Sequence, residues 1–377
     1  MKDERKAPKL RFKGFTDDWE QRKLGDVAKI TAGGDINKGD LINKGKYPVI
    51  ANGLNNNGIV GYSNKYKIDA PAVTITGRGT LGVATARFIN FTPIVRLISI
   101  KSDLDPIYLE NVINNTHFVI ESTGVPQLTA PQVKRQTVIL SNCHIEQTKI
   151  GSLFLTLDNA ITLHEEKKRQ LERLKSALLQ KMFADKSGYP PVRFEGFSDK
   201  WEQVKYGEIF QRRSKMGVST PTLPSVEYDD INPGMGTLNK EPKSKGISKR
   251  GIYFNPGDVL FGKLRPYLKN WLFACFEGVA VGDFWVLTSS KIDHGFTYSL
   301  IQTPGFQYIA NLSSGSKMPR SDWGLVSNAR TFIPINHLEQ ERISSVLFGL
   351  DHAITLYEHK LEILNKIKSF LLQNMFI

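Results

Sequence analysis

Apolar residues recur at alternating three- and four-residue spacing through Ile150, Phe154, Leu157, Ile161, Leu171, Leu178 and Met182. The same spacing returns through Ile343, Leu347, Leu350, Ile354, Leu364, Leu371 and Met375. A period near 3.5 predicts two long helices whose apolar seam faces a partner helix rather than a broad globular core. The two stretches, His144 to Phe183 and His337 to Phe376, align without a gap and are identical at about half of their positions, which implies a duplicated architecture. Roughly 40 helical residues would span about 60 Å. Polar His164, Lys168 and Lys175 interrupt the first seam, and Tyr357, Leu361 and Lys368 take those places in the second, as expected where register must be fixed. Asn336 followed by Glu339 fits a capping box opening the second helix, with Cys143 in place of the Asn in the first. The plainer reading, a core helix of a larger helical domain, does not explain why two cores would need the same long seam.

A second repeat precedes each lobe. PKLRFKGFTDDWEQRKLGDV from Pro8 is echoed by PPVRFEGFSDKWEQVKYGEI from Pro190, so that Trp19 matches Trp201. Each half of the chain thus reads as a short lead-in segment, a variable lobe and a long helix. The first lobe, Ala28 to Asn142, alternates strand-like runs (YPVIANG, IVGYSN, AVTITG, GVATARFINF, IVRLISI) with Gly- and Asn-rich turns. A helix is expected near Ile107 to Asn114, and a last strand in QTVIL. The second lobe has the same kinds of parts in a different sequence, with a helical stretch near Thr297 to Leu312. Gly188 and the paired prolines of DKSGYPP stop the first helix. The fold expected is α+β: two lobes separated by two long helices in an internal repeat. Its boundaries fall at residues 1–142 for lead-in and first lobe, 143–187 for the first helix, 188–335 for linker, second lead-in and second lobe, and 336–377 for the second helix.

Charge adds a partner to this picture. Of the net +13, residues 8–143 carry 17 Lys and Arg against 11 Asp and Glu, and residues 192–335 carry 18 against 13. The helices are nearly neutral, so a polyanion would meet the lobes first. No run of about 20 apolar residues exists and the start lacks a signal-peptide core, which makes a cytoplasmic protein without a membrane span the expectation. Cys143 and Cys275 have neither CxxC spacing nor His neighbours at metal-ligand spacing, which argues against a disulfide framework and a zinc site.

Catalytic motifs are weak. Gly77 to Gly82 fits G-x-G-x-x-G, but the strand-like VATARFINF follows where a nucleotide site needs a helix, so a Gly-rich turn presenting Arg78 is preferred. GDLINKGK has one residue too many for a P-loop and Tyr47 where Ser or Thr belongs. Asp258 and Lys263 lack a second carboxylate to hold a nuclease metal. The chain reads as a binder. Its candidate contacts are loop cations, amides and aromatics: Asn55, Asn56, Asn57, Lys65, Lys67, Arg78 and Gln127 in the first lobe, and Lys263, Arg265, Tyr267, Lys269, Lys317 and Arg320 in the second. Arg pairs bidentately with guanine, Asn and Gln with adenine, while Lys mainly contacts phosphate. Val125-Pro126-Gln127 and Met318-Pro319-Arg320 stand at matching distances from their helices, which suggests shared work.

Taken together, the repeated His-x-Glu-Gln-x-x-Ile opening (His144, Glu146, Gln147, Ile150; His337, Glu339, Gln340, Ile343), the Leu-Asp-x-Ala-Ile-Thr-Leu centre, the two lead-in segments, and the loop segments GVPQLT and NPGDVLFGKLRPYLKN resemble type I restriction-modification specificity (S) subunits over essentially the whole chain. The resemblance implies two target recognition domains, each reading half of a bipartite site in double-stranded DNA, with antiparallel coiled-coil helices setting the gap. It implies no catalysis and no cofactor in this chain. Two modification subunits would methylate adenine with S-adenosylmethionine, and restriction subunits would add translocation and cleavage with ATP and Mg. A coiled-coil interaction scaffold holding two protein-binding lobes is the alternative, which basic charge in both lobes disfavours.

Overall fold

The structure is a computed structural model and describes residues 7–118, 126–241, 248–312 and 318–377. The two seams form continuous helices, His144–Lys181 and His337–Met375. At about 1.5 Å per residue each is nearly 60 Å long. The chain divides into two compact units: residues up to His164 together with Lys360–Ile377, and Glu165–His359. Each unit therefore contains part of both helices.

In the first unit, the lead-in strand Glu20–Lys23 runs antiparallel to Thr137–Leu140. Trp19 behind it is 2% exposed and packs on Tyr108 and on Phe376 from the end of the second helix. Leu10 N–H donates to Asn374 O at 2.8 Å, so the beginning and end of the chain close one core. The main sheet is antiparallel in the order Ala28–Ala32, Ile98–Ser102, Ala72–Ile75, Ala84–Arg87. It buries Ile30, Val73, Ile75, Ile98 and Ile100 in one core with the helix Pro106–Asn114. A smaller sheet orders Ile59–Ser63, Tyr47–Ile50 and Thr92–Pro93. The strand expected over IVRLISI starts only at Ile98, because Val95 and Arg96 are left-handed and stitched to Gly34 O and Gly33 O.

The second unit repeats this plan. Glu202–Lys205 pairs antiparallel with Arg330–Ile333, Val192 N–H donates to Lys181 O, and Trp201 packs on Phe183 from the end of the first helix. Its main sheet runs Gln211–Arg212, Phe284–Thr288, Val259–Gly262, Trp271–Phe273, the same order as in the first unit despite a different sequence. The helical stretch expected near Thr297 to Leu312 is two helices, His294–Ile301 and Pro304–Ala310. Pro304 cannot continue the first, and Thr303 caps the second.

The repeated Glu and Gln bind each lead-in to its helix. Glu146 takes Arg11 bidentately at 2.5 and 2.9 Å, Trp19 Nε1 at 3.1 Å and Ser141 Oγ at 2.5 Å. Glu339 takes Arg193 at 2.7 and 2.9 Å and Trp201 Nε1 at 3.3 Å. The expected capping box is therefore only half made: Asn336 Oδ1 accepts from Leu338 N–H, but the Glu339 carboxylate serves the buried lead-in instead of the helix start. Gln147 and Gln340 accept from the N–H of Asp105 and Asp293, the residues that cap Pro106–Asn114 and His294–Ile301.

Within each unit the helices are antiparallel. In the second, Lys168 meets Glu358 and, seven residues on, Lys175 meets Asp351 seven residues back. In the first, Lys368 meets Asp158. Three of the polar interruptions thus carry ion pairs that fix register. Ile150, Phe154, Ile343, Leu347 and Ile354 of the seam are buried, whereas Leu157, Ile161, Leu171, Leu178, Leu350, Leu364 and Leu371 are half-buried, since two helices alone cannot enclose a seam. No helix among the described residues is long and apolar enough to cross a membrane.

Candidate nucleic-acid interface

The chain between β-strands in each main sheet presents the predicted contact loops. In the first unit, strand Ala72–Ile75 leads into Gly77-Arg78-Gly79, a hairpin turn with Gly79 and Gly82 at φ 71 and 78° before strand Ala84–Arg87. Arg78 is exposed, and no helix follows to make a nucleotide site. Leu128 N–H donates to Gly77 O at 3.0 Å, bringing Gln127 beside this turn. Asn52 Oδ1 accepts from Gly77 N–H at 2.7 Å and its amide donates to Val95 O, tying in the turn that holds Asn55, Asn56 and Asn57. All three of those Asn residues are exposed, and Asn56 and Asn57 are left-handed. Lys65 and Lys67 are also exposed but follow the far end of strand Ile59–Ser63, so a strand length separates them from the Asn turn. The structure brings Arg78, Gln127 and the Asn turn together and leaves the two lysines apart.

In the second unit, Leu264 and Arg320 form an antiparallel bridge, with Arg265 N–H donating to Pro319 O and Ser321 N–H to Lys263 O, each at 2.8 Å. The loops around Lys263 and Arg320 are therefore one surface. Lys263 and Arg320 share Asp283, at 3.5 and 2.9 Å. Arg265 and Lys269 are exposed and left-handed at φ 49 and 59°, bracketing the turn Pro266–Leu268 that exposes Tyr267. Lys317 lies outside the described residues. Asp258 is fully buried, taking Arg213 at 2.5 Å and the Asn255 N–H at 2.7 Å, and so serves the fold.

Sequence reading missed a cleft of about 970 Å³ next to Lys263, lined by Lys205, Arg212, Arg213 and Trp323. The Arg212 guanidinium stacks 4.6 Å over the Trp323 ring, which holds a cation at the surface without neutralising it. The run QRRSK was its only sequence signal. Among the described residues no cluster of His, Cys, Asp and Glu could hold a metal, and both cysteines are free.

A family model described as the type I restriction modification DNA specificity domain matches residues 16–173. The E. coli type I restriction enzyme EcoDI specificity subunit is 21% identical over 364 residues, 87% of this chain and 77% of that one. Residues 16–173 thus match a type I DNA specificity domain, and most of the chain is similar to a type I specificity subunit. A putative type I specificity subunit of Mycoplasma pneumoniae is 29% identical over 137 residues, 35% of this chain; the match spans only 38% of that relative's length. The crystal structure of the type I restriction-modification system S subunit from M. genitalium has the same fold, with a TM-score of 0.72 at 14% identity over 98% of this chain and 99% of that one. These similarities do not favour the scaffold alternative.

Proposed function

We propose that this chain is the DNA-reading subunit of a type I restriction-modification complex, each lobe recognising one half of a bipartite site. The observation that carries the reading is the repeated placement of a polar loop pair, Gly77–Arg78 with Gln127 and Lys263–Arg265 with Arg320, at the same end of two sheets that share strand order but not sequence. Loops of this kind can enter a major groove about 12 Å wide, where base edges are distinguishable, while the surrounding cations meet phosphate. The helices, fixed in register by ion pairs, serve as the spacer between half-sites.

The chain itself transfers no methyl group and cuts no DNA. Two modification subunits with S-adenosylmethionine methylate adenine, and restriction subunits with ATP and Mg act on unmodified DNA. Ile363, Ile367 and Phe370, 55, 42 and 57% exposed at helical spacing on the second helix, offer such a partner an apolar face. The test is to map methylated sites in DNA treated with the chain plus its modification partner. A single bipartite sequence is expected with both proteins and none with either alone. Methyl transfer by the purified chain, or methylation without sequence preference, would overturn the proposal.

A further inference from the structure

We infer that Arg96, held by Gln127, reads a base edge for the first lobe at the place where the second lobe sets Arg320 against Asp283. The inference rests on the DNA-reading function proposed above and adds a residue that the sequence did not single out.

The equivalence follows from register. Gly77 O accepts from Leu128 N–H as Lys263 O accepts from Ser321 N–H, which matches Gln127, one residue earlier, with Arg320. On the neighbouring strand Ile75 stands opposite Ile98, and Phe261 opposite Trp285. Two residues before Ile98 is Arg96, and two before Trp285 is Asp283. Arg96 Nη1 donates to Gln127 Oε1 at 2.8 Å, and Arg320 Nη2 to Asp283 Oδ2 at 2.9 Å. It is one contact with the arginine supplied from opposite sides.

The backbone around Arg96 is strained for display. Val95 and Arg96 lie at φ 50 and 64°, and a β-branched residue there is a conformational outlier. Val95 is 48% exposed, so its own burial does not hold it in that state. Hydrogen bonds from Val95 and Arg96 N–H to Gly34 O and Gly33 O, with the Asn52 amide on Val95 O, hold it instead. Among the described residues the positive-φ residues other than glycine are Asn56, Asn57, Val95, Arg96, Arg265 and Lys269. Asn56, Asn57, Arg265 and Lys269 are the sequence's own candidates for DNA contact, which makes the remaining pair, Val95 and Arg96, the one strained turn still without a role. Strain of this kind persists where the surrounding structure over-determines it, and it clusters at ligand-contacting sites.

The chemistry selects the ligand. With Nη1 on Gln127, the Nε and Nη2 edge of Arg96 remains a complete two-donor fork. Arg96 is exposed, and no carboxylate among the described residues pairs with it. Guanine N7 and O6 in the major groove accept such a fork. The second lobe's Arg320 carries a carboxylate partner and so presents a different donor and acceptor pattern at the same place.

The test uses the complex with the modification partner, measuring binding to cognate and scrambled duplexes together with methylation mapping. Arg96→Ala should lose about tenfold to a hundredfold on cognate DNA and little on scrambled DNA. One guanine position of the first half-site should become degenerate while the second half-site stays as it was. Arg96→Lys, a point charge without the fork, should relax the same position. Arg96→Asp combined with Gln127→Arg installs the second lobe's pair and should shift the preferred base at that position alone. Should Arg96→Ala unsettle the turn, Gln127→Ala leaves the backbone in place and should relax the same position; its failure to do so overturns the inference. Equal loss on both duplexes, or degeneracy in the second half-site, also overturns it. A wild-type complex with no sequence preference would instead defeat the DNA-reading function itself.

Discussion

Lys175 Nζ lies 2.5 Å from Asp351 Oδ1 across the helix pair, and the residues at the same two places in the repeat, Lys368 and Asp158, form the same bond at 2.5 Å in the other unit. One bond is thus written twice by the duplication, with the helices exchanging roles. The environments differ. Lys175 and Asp351 are 11 and 13% exposed, Lys175 also donates to Gln302 at 2.6 Å, and burial raises the Asp351 carboxyl above its usual range in spite of the lysine. Lys368 and Asp158 are 29 and 42% exposed.

Stability should follow that difference. Lys175→Ala leaves a carboxylate without its cation in a nearly closed site, for a loss of about 3 kcal/mol. Asp158→Ala should cost less than about 1 kcal/mol. Chemical denaturation checks both, and combining Lys175→Asp with Asp351→Lys should recover most of the first loss. Equal losses at the two sites would mean that burial is not what separates them.

The bond between lead-in and helix should show in acid. Burial works to raise the Glu146 carboxyl, but hydrogen bonds from Arg11, Ser141 and Trp19 outweigh it and hold the group below its ordinary value of 4.5. A lowered folded-state pKa contributes stability that is present above about pH 4.5 and lost as pH falls through the folded value. Glu146→Gln should lower the melting temperature at neutral pH yet flatten its decline below pH 4.5. Glu146→Ala, which strands Arg11, should cost about 3 to 5 kcal/mol. A wild-type acid slope matching that of Glu146→Gln would rule out this residue as the source.

Truncating the aromatic ring next to the last residue should damage the first lobe. Phe376 is 6% exposed and packs on Trp19, Tyr108 and Phe154 at 6.3, 5.9 and 5.6 Å. Phe376→Ala should cost about 3 to 5 kcal/mol, read as early loss of amide protection around Trp19 and Tyr108 in hydrogen exchange. Protection lost first in the second unit would contradict the closure of chain start on chain end.

Loop cations of the second lobe should separate by role. Arg265, fixed by its N–H on Pro319 O, should cost about 1 to 3 kcal/mol on cognate DNA when changed to Ala and should relax one position. Lys269→Ala should weaken cognate and random DNA about equally and reduce the salt slope by roughly one. Titrations at several salt concentrations with the modification partner distinguish the two. Uniform loss for Arg265→Ala would move that residue to the phosphate backbone.

The spacer should lengthen only in matched steps. The first helix carries Asp158 and Lys175 on either side of Leu163, and the second carries their partners Lys368 and Asp351, so an added heptad after Leu163 alone takes one ion pair out of register. Heptads added after both Leu163 and Leu356 should keep both pairs and change the recognised gap without changing the half-sites. An unchanged gap in such a stable variant would count against the helices as spacer.

The sequence by itself determined the duplicated plan: the seams, the lead-in segments, the Glu-Gln opening of each helix and most strands of the first lobe. Those features are local, because periods of 3.5 and 2 and the Trp and Phe positions are written in neighbouring residues. It also placed Arg265 and Lys269 in a loop that is left-handed at both residues, and Gln127 and Arg320 at equivalent points. Only the tertiary structure decided what Glu146 and Glu339 bond, that Phe376 completes the core around Trp19, and that Arg96 meets Gln127. Arg96 and Gln127 are 31 residues apart in the chain, Arg11 and Glu146 are 135 apart, and Trp19 and Phe376 lie at its two ends. Which of them meet depends on strand register and loop closure, which no local pattern of residue types encodes. Lys65 and Lys67 show the converse: close to the Asn turn in sequence, they are carried away from it by an extended strand.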